Sequence, residues 1–228
     1  MRYTILLLFT FISVSLFAQS ESQYLNVADS DPEAVKIVRE LRQKYENYGS
    51  MEANFRLEID FPGQAVETQS GSLTKSGEQF HFKLGKQEGI CDGKAVYVIL
   101  HDNKEVQINN LPEPGEEDGM LTPQNLFSFY DQGQYILALQ GEETEKGNTY
   151  LVVEMKPSDR DNSEFTKLRM LVDKKSRDMV RLLAFSRDGS RFIFHLDKVK
   201  GNHQAFSADH FAFQKADYPG YHVEDLRF

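Results

Sequence analysis

Met51-Glu52-Ala53-Asn54-Phe55-Arg56-Leu57-Glu58-Ile59-Asp60-Phe61 alternates without a break between apolar and polar side chains. A period of two sends the apolar residues to one side of an extended chain and the polar ones to the other. The stretch therefore predicts a long strand with one dry face and one wet face. Pro62-Gly63 ends it in a turn. Just upstream, Asp31-Pro32-Glu33 reads as N-cap, first helical residue and first-turn acid. Val35, Val38, Leu41, Tyr45 and Tyr48 then recur near helical spacing as far as Gly49. An amphipathic helix is expected here, laying its apolar stripe on the dry side of a sheet.

Working outward, strand patterns follow at 65–73, 79–84, 89–91, 95–101 and 105–109, with Asp92-Gly93-Lys94 as a hairpin turn. Leu111–Met120 holds two prolines, two glycines and four acids and reads as a loop. Thr122-Pro123 then opens a short helix through Tyr130, made greasy by Leu126, Phe127, Phe129 and Tyr130. Strand patterns return at 150–156, 166–173, 178–186, 191–198 and 208–213. Short turns between successive strands mean antiparallel neighbours. The expected class is mainly β with α: about ten or eleven strands in a single, strongly curved antiparallel sheet, with two helices on its dry face.

Composition narrows the function. Arg2, an apolar run from Ile5 to Phe17 and then Ala18-Gln19-Ser20 have the order of a secretory signal peptide. The expectation is a signal over 1–18 and a single exported, soluble, monomeric domain over 19–228. Against 26 lysines and arginines stand 35 acids, a net charge of −9. That balance argues against nucleic-acid binding, which needs a basic face. The lone Cys91 excludes an internal disulfide and reads as a buried structural thiol.

Enzyme signatures do not occur: no Gly-x-Ser-x-Gly elbow, His-Glu-x-x-His, phosphate-cradling glycine loop or paired-cysteine spacing. His81 alternates outward between Phe80 and Phe82 and reads as solvated. Asp209 and His210, neighbours in an expected strand, would face opposite ways. No catalysis, metal or cofactor is expected. From Lys167 to Lys200 ten basic residues face four acids. That excess suits either a docking patch or the wet face of exposed strands.

Taken together and in order, several pieces resemble the periplasmic outer-membrane lipoprotein carrier family (LolA-like), over nearly all of the chain after the leader. They are the first helix with strand 51–61, Phe80-His81-Phe82, Cys91-Asp92-Gly93-Lys94, the lid-like 121–127, 165–172, Asp188-Gly189, Phe211-Ala212-Phe213, and the ending Tyr218-Pro219-Gly220-Tyr221. The resemblance implies an incomplete β-barrel, covered by the N-terminal helix and a short lid helix, around an apolar cavity. It implies a carrier that holds lipoprotein acyl chains between inner and outer membrane, receiving them from an inner-membrane lipoprotein-releasing transporter, with no cofactor. A lipoprotein-sensing or regulatory module on the same fold, or a scaffold acting through its basic face, are the alternatives. The implied lipid-binding residues are Phe55, Leu57, Phe80, Phe82, Tyr97, Ile99, Leu126 and Phe129. Tyr97 and Ile99 share a face, but Val96, Val98 and Leu100 are apolar too, so the pattern leaves open which face is inward. The chain departs from the family in having no tryptophan, and in placing Ser76 where an arginine often ties the lid.

Overall fold

The alternating stretch forms β1 (Ser50–Asp60) at the centre of a twelve-stranded sheet. The computed structural model describes residues 27–111, 134–201 and 206–227. On one side of β1 runs an antiparallel meander: β2 (Glu67–Ser76), β3 (Gln79–Leu84), β4 (Gln87–Cys91), β5 (Val96–Leu100) and β6 (Glu105–Asn109). A second meander comprises β7 (Tyr135–Glu145), β8 (Asn148–Pro157), β9 (Phe165–Asp173), β10 (Met179–Ser186) and β11 (Arg191–Gly201). Antiparallel pairing of β11 with β1 fuses the two, and β12 (His222–Asp225) adds parallel to β6 at the far edge. The spatial order is β12-β6-β5-β4-β3-β2-β1-β11-β10-β9-β8-β7, so the curved sheet stays unclosed, with β12 and β7 at its edges.

Turn chemistry holds the register. The Asp92 carboxylate accepts from the backbone N–H groups of Lys94 (2.8 Å) and Ala95 (2.9 Å), and Gly93 takes φ +85°, a conformation that favours glycine.

Helix α1 (Pro32–Glu46) starts as its sequence indicates: Asp31 Oδ1 accepts from Glu33 N–H at 2.8 Å, and Pro32 follows. Its stripe of Ala34, Ile37, Val38, Leu41 and Tyr45 is buried in one core with Met51, Ala53 and Phe55 from β1, Leu73 and Phe80 from the first meander, and Val153, Met155, Leu168, Met170 and Leu182 from the second. Each large side chain so buried contributes roughly 2 kcal/mol. Both ends of the helix are tied to the second meander. Asp31 N–H donates to Leu137 O (2.8 Å), Lys44 Nζ reaches Asp178 Oδ1 (2.6 Å), and Met179 N–H donates to the Tyr45 hydroxyl (3.2 Å). Among the described residues this is the one α-helix. The expected lid helix, with Leu126 and Phe129, and the expected signal both lie outside the described residues.

Three local expectations are corrected. Residues 208–213 form no strand: Ala208–Phe211 is a 3-10 turn. β7 was not expected, because its apolar start (Tyr135 to Leu139) and acidic end (Glu142 to Glu145) do not alternate, and its register shifts between Leu139 and Gly141. β12 was not expected either. Its mostly polar four residues carry no strand pattern and owe their conformation to the β6 edge they pair with.

Candidate functional site

Cross-strand partners share a face, so register identifies the concave side residue by residue. Phe55 is opposite Gly71 on β2, Leu57 is opposite Gln69 and Phe194, and Ile59 is opposite Glu67 and Phe192. Beyond them Gly71 is opposite Leu84, Leu84 is opposite Gln87, and Gln87 is opposite Leu100. One surface therefore carries an aromatic band, Phe82–Phe55–Phe194, with ring centroids 5.6 and 4.8 Å apart. Gly71 is required beneath it, since a Cβ there would lie 2.3 Å from the Phe55 ring.

Past this band the packed core ends and the same face opens. Leu57, Ile59, Leu84 and Leu100 are half-buried, and they floor a groove of about 770 Å³. Its rim is polar: Glu67, Gln69, Lys86, Gln87, Asp102 and Asn103. Four of the six rim groups pair with one another, Lys86 Nζ with Asp102 Oδ1 at 2.7 Å and Gln69 Nε2 with Glu67 Oε1 at 2.6 Å. Alongside the groove stand Phe61, 38% exposed, and Phe192, rings 6.3 Å apart. An apolar floor inside a polar rim suits the chain of an amphiphile.

The residues expected to bind lipid separate into four groups. Leu57 lines the groove. Phe55 (2% exposed) and Phe80 (3%) are packed core, and Phe82 packs against that core. Leu126 and Phe129 lie outside the described residues. Tyr97 and Ile99 are on the opposite, convex face, and this corrects their grouping with Phe55. Ile99 is fully buried with Ile90 and Val106 in a second core, under Tyr97, Phe213, Tyr218, Tyr221 and Val223. The Tyr97 ring stacks on Phe213 at 4.6 Å. The run Val96–Leu100 is thus apolar on both faces, with Ile99 buried on the convex side and Val96, Val98 and Leu100 half-buried on the concave side, which explains why no parity could be read from it. Ile59, Leu84 and Leu100 were missed as floor residues. Ile59 was within reach, being the next same-face residue after Leu57; the other two needed the register.

The convex core shelters a polar cluster. Glu88, 6% exposed, takes the side chains of His81, Lys83 (3.3 Å) and His101 (3.2 Å). Burial alone would raise its carboxyl. The hydrogen bond from His81 and the charges of Lys83 and His81 outweigh that and hold it at about 2. Burial, and then the Glu88 carboxylate, push the Tyr218 phenol upward. His101 Nδ1 lies 2.8 Å from the Tyr221 hydroxyl, and His210 Nε2 lies 2.8 Å from Thr74 Oγ1. His81 is therefore not solvated as expected, and His210 is engaged by Thr74. These contacts fasten 206–227 to the sheet. Among the described residues no group of three or more His, Cys, Asp or Glu side chains is placed to hold a metal ion. Cys91 is fully buried in the main core, which raises its thiol pKa.

Seven of the ten basic residues between Lys167 and Lys200 hold carboxylates. Lys167 and Arg169 flank Glu154, Lys174 pairs with Glu142, Arg177 with Glu40, Arg181 with Glu145, Arg191 with Asp60, and Lys200 with Glu52. Little free positive charge is left there for a docking face.

No family model matches the chain. Over 183 residues it is 27% identical to an uncharacterized protein of Methanocaldococcus jannaschii, covering 77% of this chain and 49% of that one. The chain thus spans about half the length of the curated relative it matches. Among solved structures it is similar to an uncharacterized conserved protein from Thermus thermophilus, with TM-score 0.54 and 10% identity over 86% of this chain and 99% of that one. It is more distantly similar to a putative outer membrane lipoprotein-sorting protein domain from Vibrio parahaemolyticus, with TM-score 0.45 and 13% identity over 78% of this chain and 95% of that one. These are likenesses of fold alone. Among the described residues no helix is long and apolar enough to cross a membrane.

Proposed function

We propose that the protein is an exported, periplasmic, non-catalytic carrier that binds acyl chains of lipoproteins on its concave face and moves them from the inner towards the outer membrane. The observation that carries this reading is the groove floored by Leu57, Ile59, Leu84 and Leu100, where the dry face of the sheet continues beyond its packed core. Magnitude supports transport over storage. Full burial of a sixteen-carbon chain, at about 0.8 kcal/mol per methylene, gives roughly 12 kcal/mol and nanomolar binding. A groove open along one side captures about half of that, roughly 6 kcal/mol or tens of micromolar per chain. A carrier that must also unload needs affinity in that lower range. An inner-membrane lipoprotein-releasing transporter as donor, and a monomeric state, belong to the same reading.

The test is a fluorescence titration of the purified protein with a dansyl-labelled sixteen-carbon fatty acid, followed by transfer of a triacylated lipopeptide from donor to acceptor vesicles. Saturable micromolar binding and accelerated transfer are expected. Absence of saturable binding to the folded protein rejects the carrier.

A further inference from the structure

On the second meander a smaller cavity, about 280 Å³, is lined by Lys156, Arg160, Phe165, Thr166 and Arg187. Three of these five residues are cationic and none is acidic. In a chain of net charge −9, with most nearby cations paired, that is an unusual surplus. Among the described residues Arg160 and Arg187 form no ion pair. Lys156 has only Glu154 Oε1 at 3.8 Å, and Lys167 and Arg169 already hold the other oxygen of that carboxylate at 3.3 Å each.

The acids beside the two arginines in sequence are engaged in their own turns. Asp159 accepts from Asp161 N–H, Asn162 N–H and the Asn162 amide, and Asp188 accepts from Ser190 N–H and its hydroxyl. Arg187 is itself positioned, its Nε donating to Ser163 O at 3.2 Å, which leaves the two terminal nitrogens of its guanidinium for a ligand. Two guanidinium forks and an ammonium around one small cavity suit a tetrahedral oxyanion.

The cavity is also joined to the groove face. Phe165, one of its lining residues, has its ring in the main core 6.2 Å from Phe192, and Phe192 is opposite Ile59, a floor residue, and meets Phe61 at 6.3 Å. Phe165, at the start of β9, thus links the cationic cavity at the strand ends to the aromatic side chains beside the groove. We infer that Lys156, Arg160 and Arg187 form a binding site for the phosphate group of an acyl-bearing amphiphile whose chain lies along Ile59, Phe61 and Phe192. This deepens the carrier reading and rests on it for the chain, though not for the phosphate.

The experiment compares fluorescently labelled phosphatidic acid with diacylglycerol carrying the same chains, on the wild-type protein and on R160Q/R187Q. Both changes are at exposed side chains, and circular dichroism checks the fold of the variant. Phosphatidic acid is expected to bind roughly tenfold more tightly, a preference that falls with salt. The double variant is expected to bring it to the diacylglycerol level without changing diacylglycerol binding. Equal affinities in the wild type, or parallel loss of both lipids in the variant, overturn the site.

Inorganic phosphate, followed by amide shifts at Arg160 and Thr166, separates the two possible sources. Phosphate that perturbs these amides only at millimolar levels, while erasing the phosphatidic acid preference, supports a headgroup site. Micromolar phosphate binding with no preference between the lipids assigns the cavity to free phosphate and overturns the headgroup. If neither lipid binds but phosphate still perturbs these amides in the wild type alone, the anion site stands and the acyl-carrier reading fails.

Discussion

Phe55 and Ile59 are two turns of the pleat apart on one face of one strand, yet they do different work. Phe55 is enclosed between Phe82, Phe194 and the bare backbone of Gly71, so Phe55→Ala leaves a hole and is expected to cost about 3–5 kcal/mol in urea unfolding. Ile59 is half-exposed on the groove floor. Ile59→Ala is expected to cost roughly 1 kcal/mol of stability while weakening a fatty-acyl probe severalfold. Comparable stability losses with unchanged probe binding in both variants would place the ligand elsewhere. The alternation marked both residues as inward-facing, but it carries no information on where the core stops, because that depends on how far α1 reaches across the sheet. Glu88 makes the complementary point on the convex face. Its carboxyl is held at about 2, below the ordinary carboxylate value, so its contribution to stability is present above about pH 4.5 and is lost as pH falls towards 2. The shift corresponds to stabilisation on the order of 3 kcal/mol, and Glu88→Gln is expected to remove that part of the acid unfolding curve. A variant whose acid unfolding overlays the wild type would show that His81 and Lys83 do not stabilise the charged form.

At the scale of elements, β1 and α1 were legible because their patterns are pure: period two with a turn behind it, and a capped helical stripe. β5 was legible as a strand but not in orientation, since both its faces are apolar. The segment 206–227 covers the convex side, and its role depends on contacts with β2 to β6 that no local pattern encodes. Those contacts make a prediction that separates the two faces. Phe213→Ala removes a ring stacked on Tyr97 and Tyr218 and is expected to cost about 2 kcal/mol, with acyl-probe affinity unchanged. A loss of probe binding in that variant, at undiminished stability, would return Tyr97 and Ile99 to the list of ligand contacts.

The whole molecule is two meanders fused through β1 and β11 into a curved sheet that does not close, and this is what gives it a concave face to use. Class and curvature could be read from the chain because both rest on local strands in sequence order. The position of the groove could not, because Leu84, Leu100 and Ile59 come together only through the register of β1 to β5. The central claim is that an acyl chain lies on that floor. Its most direct test is photo-crosslinking of the purified protein with a palmitic acid analogue carrying a diazirine at mid-chain, followed by mass spectrometric mapping of the adducts. Adducts are predicted on the peptides containing Leu57–Ile59, Leu84 and Leu100, and unlabelled palmitate is predicted to suppress them. Labelling confined to the convex segments around Ile99 and Phe213, or labelling that palmitate does not compete, would contradict it.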